Sequence, residues 1–423
     1  MLKAAIVFAD LHEQKDQNDE FIELVKAADM EIEHIFTQNL KSITLKTYIG
    51  IGKCHEIRDY IAEHDLDYII FNHDLSAIQI KNLEDIFQLP IMDRTELILS
   101  IFQNRAHTPT ARLQVESATL KKMLPRLIGS NTQLSRQGGS GKNKGAGEKQ
   151  LGGSARDHAH NGDRRRIHSR IQEVQRELKK LETQRNTQRR SRQKSMLPFV
   201  SLVGYTNAGK STIMNMLLQH SKSSEEKMVF EEDMLFATLD TSIRHIDLAD
   251  GSSFLLSDTV GFISELPHDL FEAFHSTLEE VRYASLLIQV VDVSNSDYHR
   301  QMEITQQTLQ EIHASDIPMI TVYNKCDQSD YSYPIVHDHE IYMSAKQQVG
   351  IEELLELIHR HLYPDEKHVH MLLPYTQTAI YSLLMKYAKV ISREDKEDGL
   401  HLEAILPDAY YQKYKKYVTN IIL

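Results

Sequence analysis

The chain has 423 residues, 41% of them apolar and 26% charged, which is enough for more than one folded domain. Two cysteines, Cys54 and Cys326, cannot form a disulfide framework, and they indicate a reducing compartment. The net charge of −12 argues against nucleic-acid binding by the chain as a whole. No apolar run approaches the roughly 20 residues that span a bilayer, so neither a membrane span nor a signal peptide is predicted.

The first part of the chain alternates between two kinds of pattern. Short apolar runs at 3–9, 67–72 and 89–93 have the length and composition of buried strands. Amphipathic helical patterns lie between them, including the sequence DEFIELVKAADM. This alternation predicts an N-terminal α/β domain over residues 1–110.

Residues 111–196 have a different periodicity. Two segments carry an apolar stripe at steps of three and four residues, which is the spacing of one helix face. The stripes consist of Leu113, Ser117, Leu120, Leu124 and Leu127 in the first segment and Ile167, Ile171, Val174, Leu178 and Leu181 in the second. The connection between them is rich in glycine and polar residues. We therefore predict an antiparallel helical hairpin with a glycine-rich tip.

The same segment is strongly basic. Residues 121–196 contain 20 Lys and Arg against 6 Asp and Glu, a net charge of +14, so the remainder of the chain carries −26. Lys and Arg on an accessible element contact phosphates, and a glycine-rich loop can follow an irregular RNA surface. Phe, Tyr and Trp, which stack on bases, are missing from this block. RNA binding led by shape and charge is favoured over two merely solvated helix faces.

A phosphate-binding motif begins where a third domain starts. The apolar strand PFVSLVG leads into Gly204–Ser211, which fits the pattern G-x-x-x-x-G-K-[ST], and a helical pattern follows it. In such a loop the backbone N–H groups surround phosphate oxygens, and the helix directs its N-terminus at them. Lys210 is then the cation for the β- and γ-phosphates, and Ser211 is a hydroxyl ligand for Mg²⁺.

Two further segments are expected to complete the phosphate site. Asp258 follows the apolar run SSFLLS, where it is placed to hold Mg²⁺, and Gly261 leaves room for its N–H to reach a γ-phosphate. The sequence FATLDT, 236–241, lies between the two motifs, in the place of a mobile loop that supplies a threonine hydroxyl to Mg²⁺. Thr238 is the first choice for this ligand, and Thr241 is the alternative.

The sequence NKCD, which ends the apolar strand PMITVY, indicates the base. Guanine presents N1–H and a 2-amino group, and the carboxylate of Asp327 can accept hydrogen bonds from both. Adenine lacks this pair of donors and would leave the carboxylate unpaired, which disfavours an ATPase or a nucleotide kinase. The stem of Lys325 is expected to cover the base, Asn324 to brace the loop, and the backbone of Ser344–Lys346 to reach the guanine O6.

Strand and helix patterns continue to the end of the chain. Apolar strands alternate with helical segments and predict a doubly wound α/β domain over residues 197–364. Residues 365–423 predict a small C-terminal α+β domain. The expected fold class is therefore α/β: an N-terminal α/β domain with a basic antiparallel helical hairpin over 111–196, a P-loop domain, and this C-terminal domain.

Taken in this order, the motifs resemble those of the HflX family of ribosome-associated GTPases. The resemblance runs over about residues 3–364 and rests on the stretches MDRTELILSIFQNRAHTPTARLQVESATLKKMLPRLIG, DRRRIHSRIQEVQRELKKL, GYTNAGKST, FATLD and DTVGFISELPHDLFEAFHSTLEE. It implies GTP (GDP) and Mg²⁺ as cofactors. It also implies that the N-terminal domain and the hairpin dock on the large ribosomal subunit and its rRNA. We predict a monomer.

The function implied by the resemblance is to split or rescue stalled ribosomes under stress. The predicted location is cytoplasmic, with association to ribosomes or peripherally to membrane. An alternative from another class is a nucleotide-gated RNA-binding module, for example in large-subunit assembly, in which hydrolysis only times release.

Two stretches differ from the family pattern. The hairpin tip usually reads G-P-G-E-T-Q-L-E, whereas Gly145–Gly152 reads GAGEKQLG, without the proline and the threonine. This difference predicts a more flexible loop. The stretch FATLDPT of the family appears as FATLDTS, again without the proline.

The sequence lacks the glutamine that many GTPases place directly after D-x-x-G to orient the attacking water. Phe262 is in that position, and a phenyl ring cannot hydrogen-bond to water in that way. We therefore predict slow intrinsic hydrolysis that a partner, the ribosome, accelerates. Glu265 and His268 are nearby candidates to replace the glutamine, and Arg244 and Arg282 are candidates for an arginine finger.

These inferences define the predicted site. The predicted catalytic residues are Lys210, Thr238, Gly261 and Phe262. The predicted Mg²⁺ ligands are Ser211, Thr238 and Asp258. The predicted nucleotide contacts are Gly204, Tyr205, Thr206, Asn207, Ala208, Gly209, Lys210, Ser211, Thr212, Phe236, Ala237, Thr238, Leu239, Asp240, Asp258, Thr259, Val260, Gly261, Asn324, Lys325, Cys326, Asp327, Ser344, Ala345 and Lys346.

Overall fold

The structure is a computed structural model of the chain. It describes residues 2–10, 15–129, 155–194, 197–221, 235–236, 242–248, 252–259, 261–264 and 278–422. The chain forms two compact units, the first mainly Met1–Thr183 and the second mainly His275–Leu423 with Gln184–Asp233 and Ala237–Ser264. The predictions for 145–152, 237–241, Val260, Glu265 and His268 lie outside the described residues.

The first unit contains a parallel four-stranded sheet of order β2-β1-β3-β4. Its strands are β1 (Leu2–Asp10), β2 (Met30–Asn39), β3 (Tyr68–Phe71) and β4 (Ile91–Met92). Its helices are α1 (Lys15–Ala27), α2 (Ile51–Glu63), α3 (Ala77–Phe87) and α4 (Arg94–Arg105). The central strand β1 is buried from Ala4 to Ala9, which explains its continuous apolar sequence, since helices cover both faces of such a sheet.

Polar side chains fix the helix starts in this unit. Ser76 and Gln79 form a capping box at α3, and the fully buried Asp93 accepts from the backbone N of Glu96 at 2.9 Å to cap α4. Lys122 pairs with Asp93 at 2.7 Å, so the buried carboxylate also has a cationic partner. The ion pair of Lys122 with Asp93 joins the start of α4 to the helical segment that contains Lys122.

The predicted hairpin helices are α5 (Pro109–Gly129) and α6 (Ala155–Lys194). The stripe predicted on α6 is confirmed, since Val174 is fully buried and its four other members are half-buried. On α5, Ser117 is buried and Leu113, Leu120 and Leu124 are half-buried, as predicted, whereas the side chain of Leu127 lies outside the described residues. The buried side is wider than the predicted stripe, because α5 also packs on α3 and α4, and Val115 and Ala118 are buried too.

An ion pair joins the two hairpin helices. Arg170 of α6 donates to both carboxylate oxygens of Glu116 in α5, at 2.6 and 2.9 Å. The two helices therefore lie side by side at this point.

A seven-stranded sheet of order β10-β11-β9-β8-β5-β7-β6 forms the centre of the second unit. Its strands are β5 (Phe199–Gly204), β6 (Ile243–Asp247), β7 (Ser253–Ser257), β8 (Leu286–Asp292), β9 (Met319–Asn324), β10 (Ile335–Val336) and β11 (Glu340–Tyr342). Its helices are α7 (Lys210–His220), α8 (Tyr298–Glu311) and α9 (Ile351–Leu362). The outer pairs β6–β7 and β10–β11 are antiparallel and the inner strands are parallel, so the loops after β5, β7, β8 and β9 meet at one edge.

The end of the chain folds as the predicted α+β element. An antiparallel sheet of order β13-β14-β12-β15 packs against two helices. The elements are β12 (Lys367–Leu373), α10 (Thr378–Tyr387), β13 (Lys389–Lys396), β14 (Gly399–Leu406), α11 (Asp408–Tyr414) and β15 (Val418–Ile422). The predicted α/β fold class is thus confirmed. No helix within the described residues is both long and apolar enough to cross a membrane.

Candidate nucleotide-binding site

The phosphate loop connects β5 to α7 at the centre of the seven-stranded sheet. Gly204 and Gly209 have φ of 141° and 95°, and Asn207 has φ of 60°. A Cβ atom at Gly204 would lie 2.3 Å from the Val290 carbonyl oxygen. A Cβ atom at Gly209 would lie 2.2 Å from the side-chain nitrogen Nδ2 of Asn324. Both glycines of the motif are therefore required by neighbouring protein atoms as well as by the conformation of the loop.

Lys210 begins α7 and folds back over the loop. Its ammonium group donates to the carbonyl oxygens of Gly204 and Tyr205 at 3.2 and 2.8 Å. Burial lowers the pKa of Lys210 to about 8, and the nearby carboxylate of Asp258 opposes this shift. The Lys210 ammonium group, which is expected to contact the phosphates, is therefore held by two backbone carbonyl groups. It lies at a buried position that disfavours its positive charge.

The two predicted Mg²⁺ ligands in the described part of the chain are in contact. Ser211 Oγ donates to Asp258 Oδ2 at 2.7 Å, and Asp258 is fully buried at the end of β7. A hydroxyl and a carboxylate are oxygen ligands of the kind that Mg²⁺ prefers, so this pair fits the ion. Thr212 follows in the same turn of α7 and is half-buried.

The segment after Asp258 packs directly on the phosphate loop. A Cβ atom at Gly261 would lie 2.6 Å from Thr206 Cα and 3.0 Å from the Lys210 ammonium nitrogen, so only glycine fits here. Phe262 forms a parallel bridge with Tyr205, and its side chain is 4% exposed. The ring in the usual glutamine position is therefore a core group.

One amide joins the base-recognition loop to the phosphate loop. Asn324 ends β9, and its Nδ2 donates to the carbonyl of Ala208 at 2.9 Å. Its Oδ1 accepts from the backbone N of Ala345 at 3.0 Å. Asn324 thus holds three separate loops together, which is the bracing role predicted for it, extended to the phosphate loop.

Polar contacts also fix the other side chains of the base loop. Lys325 adopts φ of 63°, and its ammonium pairs with Asp292 at the end of β8 at 2.8 Å. Ser344 Oγ donates to Asp327 Oδ1 at 2.5 Å, which orients the carboxylate expected to read guanine. Cys326 is buried, and burial raises the pKa of its thiol, so the thiolate form is disfavoured.

Of the residues predicted to contact the nucleotide, two make contacts with other protein groups and a third is exposed. Thr259 is 1% exposed and donates its hydroxyl to the Leu202 carbonyl at 2.6 Å, which ties the end of β7 to β5. Phe236 belongs to the first unit, where its ring packs edge-to-face on Phe102 at 4.7 Å. Lys346 is exposed. A nucleotide contact of each of these residues stays a prediction.

The two candidates for an arginine finger have partners of their own. Arg282 lies 3.7 Å from Glu279, and Arg244 in β6 donates to the carbonyl of Ile243 at 3.3 Å. Neither contact involves the phosphate loop, and a finger role for either residue stays a prediction.

Three contacts of the site were not predicted from the sequence. They are the hydroxyl contact of Tyr205 with Ser264, the ion pair of Lys325 with Asp292, and the link of Thr259 to Leu202. Each joins residues separated by tens of positions, so no local pattern marks it.

A phosphate loop at the centre of a mostly parallel sheet, with a guanine-type base loop two strands away, defines a P-loop guanine-nucleotide-binding protein. Family models match three consecutive parts of the chain. They are described as "GTP-binding GTPase N-terminal" over 15–103, "GTP-binding GTPase Middle Region" over 105–192 and "50S ribosome-binding GTPase" over 199–325.

Relatives called "GTPase HflX" align with nearly the whole chain. The protein of Caldanaerobacter subterraneus subsp. tengcongensis is 40% identical over 418 residues, covering 98% of this chain and 94% of its own length. That of Escherichia coli (strain K12) is 37% identical over 429 residues, covering 99% and 97%. The chain belongs to the HflX family, as the resemblance implied, and it is a GTPase.

Proposed function

We propose that this GTPase binds the large ribosomal subunit through rRNA contacts of its basic hairpin and splits or rescues stalled ribosomes under stress. It acts as a cytoplasmic monomer. The observation that carries the proposal is the one-sided exposure of α6. Its apolar stripe is turned inward, while Arg164, Arg165, Arg176, Lys179 and Lys180 are exposed.

The charge on this helix is suited to a polyanion. Arg170 is neutralised by Glu116 and by Glu173, its ion-pair partners at 2.6 and 2.8 Å, and this residue serves the hairpin itself. The run Arg164–Arg166 lies in an exposed stretch towards the hairpin tip. Exposed arginines in such a run contact backbone phosphates, and they release counterions on binding. The description of the matched family model as ribosome-binding agrees with this partner.

Replacing the exposed arginine run is expected to weaken ribosome binding. Changing Arg164, Arg165 and Arg166 to Ala removes up to three phosphate contacts, each of which contributes about 1 to the slope of log affinity against log salt. Co-sedimentation with isolated large subunits at several salt concentrations measures both the affinity and this slope. We expect weaker binding and a slope reduced by about 2 to 3.

A matched variant removes the same charge elsewhere. Changing Lys389, Arg393 and Lys396 to Ala affects three exposed cations of β13 in the C-terminal sheet. This variant is expected to sediment with large subunits as the unchanged protein does. If the Arg164–Arg166 variant bound large subunits with the same affinity and the same salt slope as the unchanged protein, the proposed contact of the hairpin with rRNA would be contradicted.

We propose that Ser211, Thr238 and Asp258 hold Mg²⁺, which supplies charge neutralisation at the phosphates when bound. Phe262, in the usual place of the glutamine, supplies no hydrogen bond to position the attacking water, because its apolar ring is buried. We expect slow GTP hydrolysis by the protein alone, and an increase of at least about tenfold when ribosomes are added. Phosphate release with and without ribosomes measures this. Fast turnover without a partner would contradict it.

The alternative function, a nucleotide-gated RNA-binding module, differs from ribosome splitting in the role of GTP hydrolysis. Intact ribosomes incubated with the protein are resolved on a gradient in the presence of GTP, GDP or a nonhydrolysable GTP analogue. Splitting with the analogue would show that binding drives the separation and that hydrolysis times release. Large-subunit binding without splitting in any nucleotide state would favour the RNA-binding module.

A further inference from the structure

A tyrosine of the phosphate loop holds the segment that follows Asp258. Tyr205 Oη accepts from the backbone N of Ser264 at 2.7 Å and lies 2.8 Å from Ser264 Oγ. The Tyr205 side chain and Ser264 are both buried, at 5% and 6% exposure. A buried phenol oxygen that binds two groups of one residue is a specific attachment point rather than a surface contact.

The backbone adds to this attachment. Thr206 N donates to the Phe262 carbonyl at 2.7 Å, and Phe262 N donates to the Gly204 carbonyl at 3.2 Å. These two bonds form a parallel β-bridge between Tyr205, the residue after β5, and Phe262. Four hydrogen bonds attach this segment to the phosphate loop, and the oxygen of Tyr205 makes two of them.

The attached segment includes the neighbour of Gly261. A Cβ atom added to Gly261 would lie 2.6 Å from Thr206 Cα and 3.0 Å from the Lys210 ammonium nitrogen, so the backbone of Gly261 passes close to both residues. Because Phe262 is the next residue, the register of Phe262–Ser264 on the loop determines where the backbone of Gly261 stands. A shift of the segment by a fraction of an ångström would move the N–H of Gly261 relative to Lys210.

We propose that the Tyr205 hydroxyl is a positioning group that sets the Gly261 N–H for the γ-phosphate and so favours GTP over GDP. The inference rests on the γ-phosphate role of Gly261, which is part of the proposed site. GDP has no γ-phosphate, so its affinity does not depend on the placement of Gly261. Loss of the hydroxyl therefore affects the two nucleotides differently.

Tyr205→Phe removes one oxygen and keeps the buried ring. We expect affinity for a nonhydrolysable GTP analogue to fall about three- to tenfold, the range for loss of one to two hydrogen bonds, with affinity for GDP changed less than about twofold. Ser264→Ala keeps the bond from its N–H, so a smaller loss in the same direction is expected. Equilibrium titration with fluorescent nucleotides measures both affinities.

Tyr363→Phe is the matched control. The Tyr363 hydroxyl donates to the Ser253 carbonyl at 2.8 Å at the start of β7, in the same unit. Its loss removes one hydrogen bond without touching the carboxyl edge of the sheet. We expect the ratio of the two affinities to be unchanged in this variant, and thermal unfolding to show that both Tyr→Phe variants are folded.

Two results would overturn the positioning role. One is equal weakening of GDP and the GTP analogue in Tyr205→Phe, which would mean that the hydroxyl only stabilises the loop. The other is an unchanged affinity for both nucleotides in that variant, which would mean that the hydroxyl has no part in binding. A failure of the unchanged protein to bind guanine nucleotides would contradict the proposed site itself, so the two failures are distinguishable.

Discussion

Changing Asp327 to Asn is expected to lower the affinity for GDP about 100- to 10,000-fold, because a charged acceptor of two guanine hydrogen bonds is replaced by a neutral amide that can accept only one of them. An asparagine amide presents a donor where the guanine 2-amino group also donates. Xanthine carries a carbonyl at that place, so the variant is expected to prefer xanthosine diphosphate. Competition titrations with the two nucleotides measure the change of preference.

The control for this exchange is Asp330→Asn. Asp330 is exposed and lies three residues further along the same loop, so the charge change is equal and nearby. We expect no change of base preference there. Ser344 donates to Asp327 in the unchanged protein, and Ser344→Ala is expected to produce a smaller loss of GDP affinity with guanine still preferred. Retained GDP affinity in Asp327→Asn would contradict the base assignment.

Affinity for GDP is expected to fall as the pH rises above 8. The ligand-free pKa of Lys210 is about 8, and phosphates stabilise the ammonium form and raise this pKa on binding. Binding above pH 8 therefore requires proton uptake. Between pH 7 and pH 9 the dissociation constant for GDP is expected to rise about tenfold.

Lys210→Met provides the control for this pH dependence. It removes the titrating group, so any remaining pH dependence belongs to the nucleotide or to other residues. We expect weaker binding at every pH and a flat profile between pH 7 and pH 9. An equally steep profile in the Met variant would contradict the assignment to Lys210.

The stability of the ligand-free protein should change with pH in the opposite direction. The folded-state pKa of Lys210 is lowered from 10.5 to about 8, so between these values the unfolded chain binds more protons. The free energy of unfolding therefore rises across this window, by about 3 kcal/mol relative to Lys210→Met. Below pH 8 the cost of the buried charge is fully present. Urea unfolding at several pH values compares the two proteins.

The sequence was most informative where the chemistry is contiguous. Gly204–Ser211 and Asn324–Asp327 each lie on one loop after one strand, so their residue types and spacing predict both place and chemistry. The apolar stripe of α6, from Ile167 to Leu181, was also predicted correctly, because α6 has one buried side. The full width of the buried side of α5 was not predicted, because contacts with α3 and α4 extend it beyond the predicted stripe.

Contacts between distant segments were not predictable. Tyr205 and Ser264 are 59 residues apart, and the hydroxyl of Thr259 is used by a carbonyl 57 residues away. Phe236 belongs to a motif that predicts nucleotide contact, and that motif does not indicate the packing of its ring on Phe102. A single sequence reports residue types along the chain, whereas these placements depend on which strand ends become neighbours.

The bridge made by Asn324 has a consequence for ligand length. Its amide spans from the Ala208 carbonyl to the backbone of Ala345, so the two ends of the binding groove cannot move apart without breaking a buried hydrogen bond. In the predicted site, this bond limits the distance between the segment expected to bind the purine and the segment expected to bind the diphosphate. A guanine analogue whose sugar–phosphate linkage is extended by one methylene would engage one end and forfeit the other.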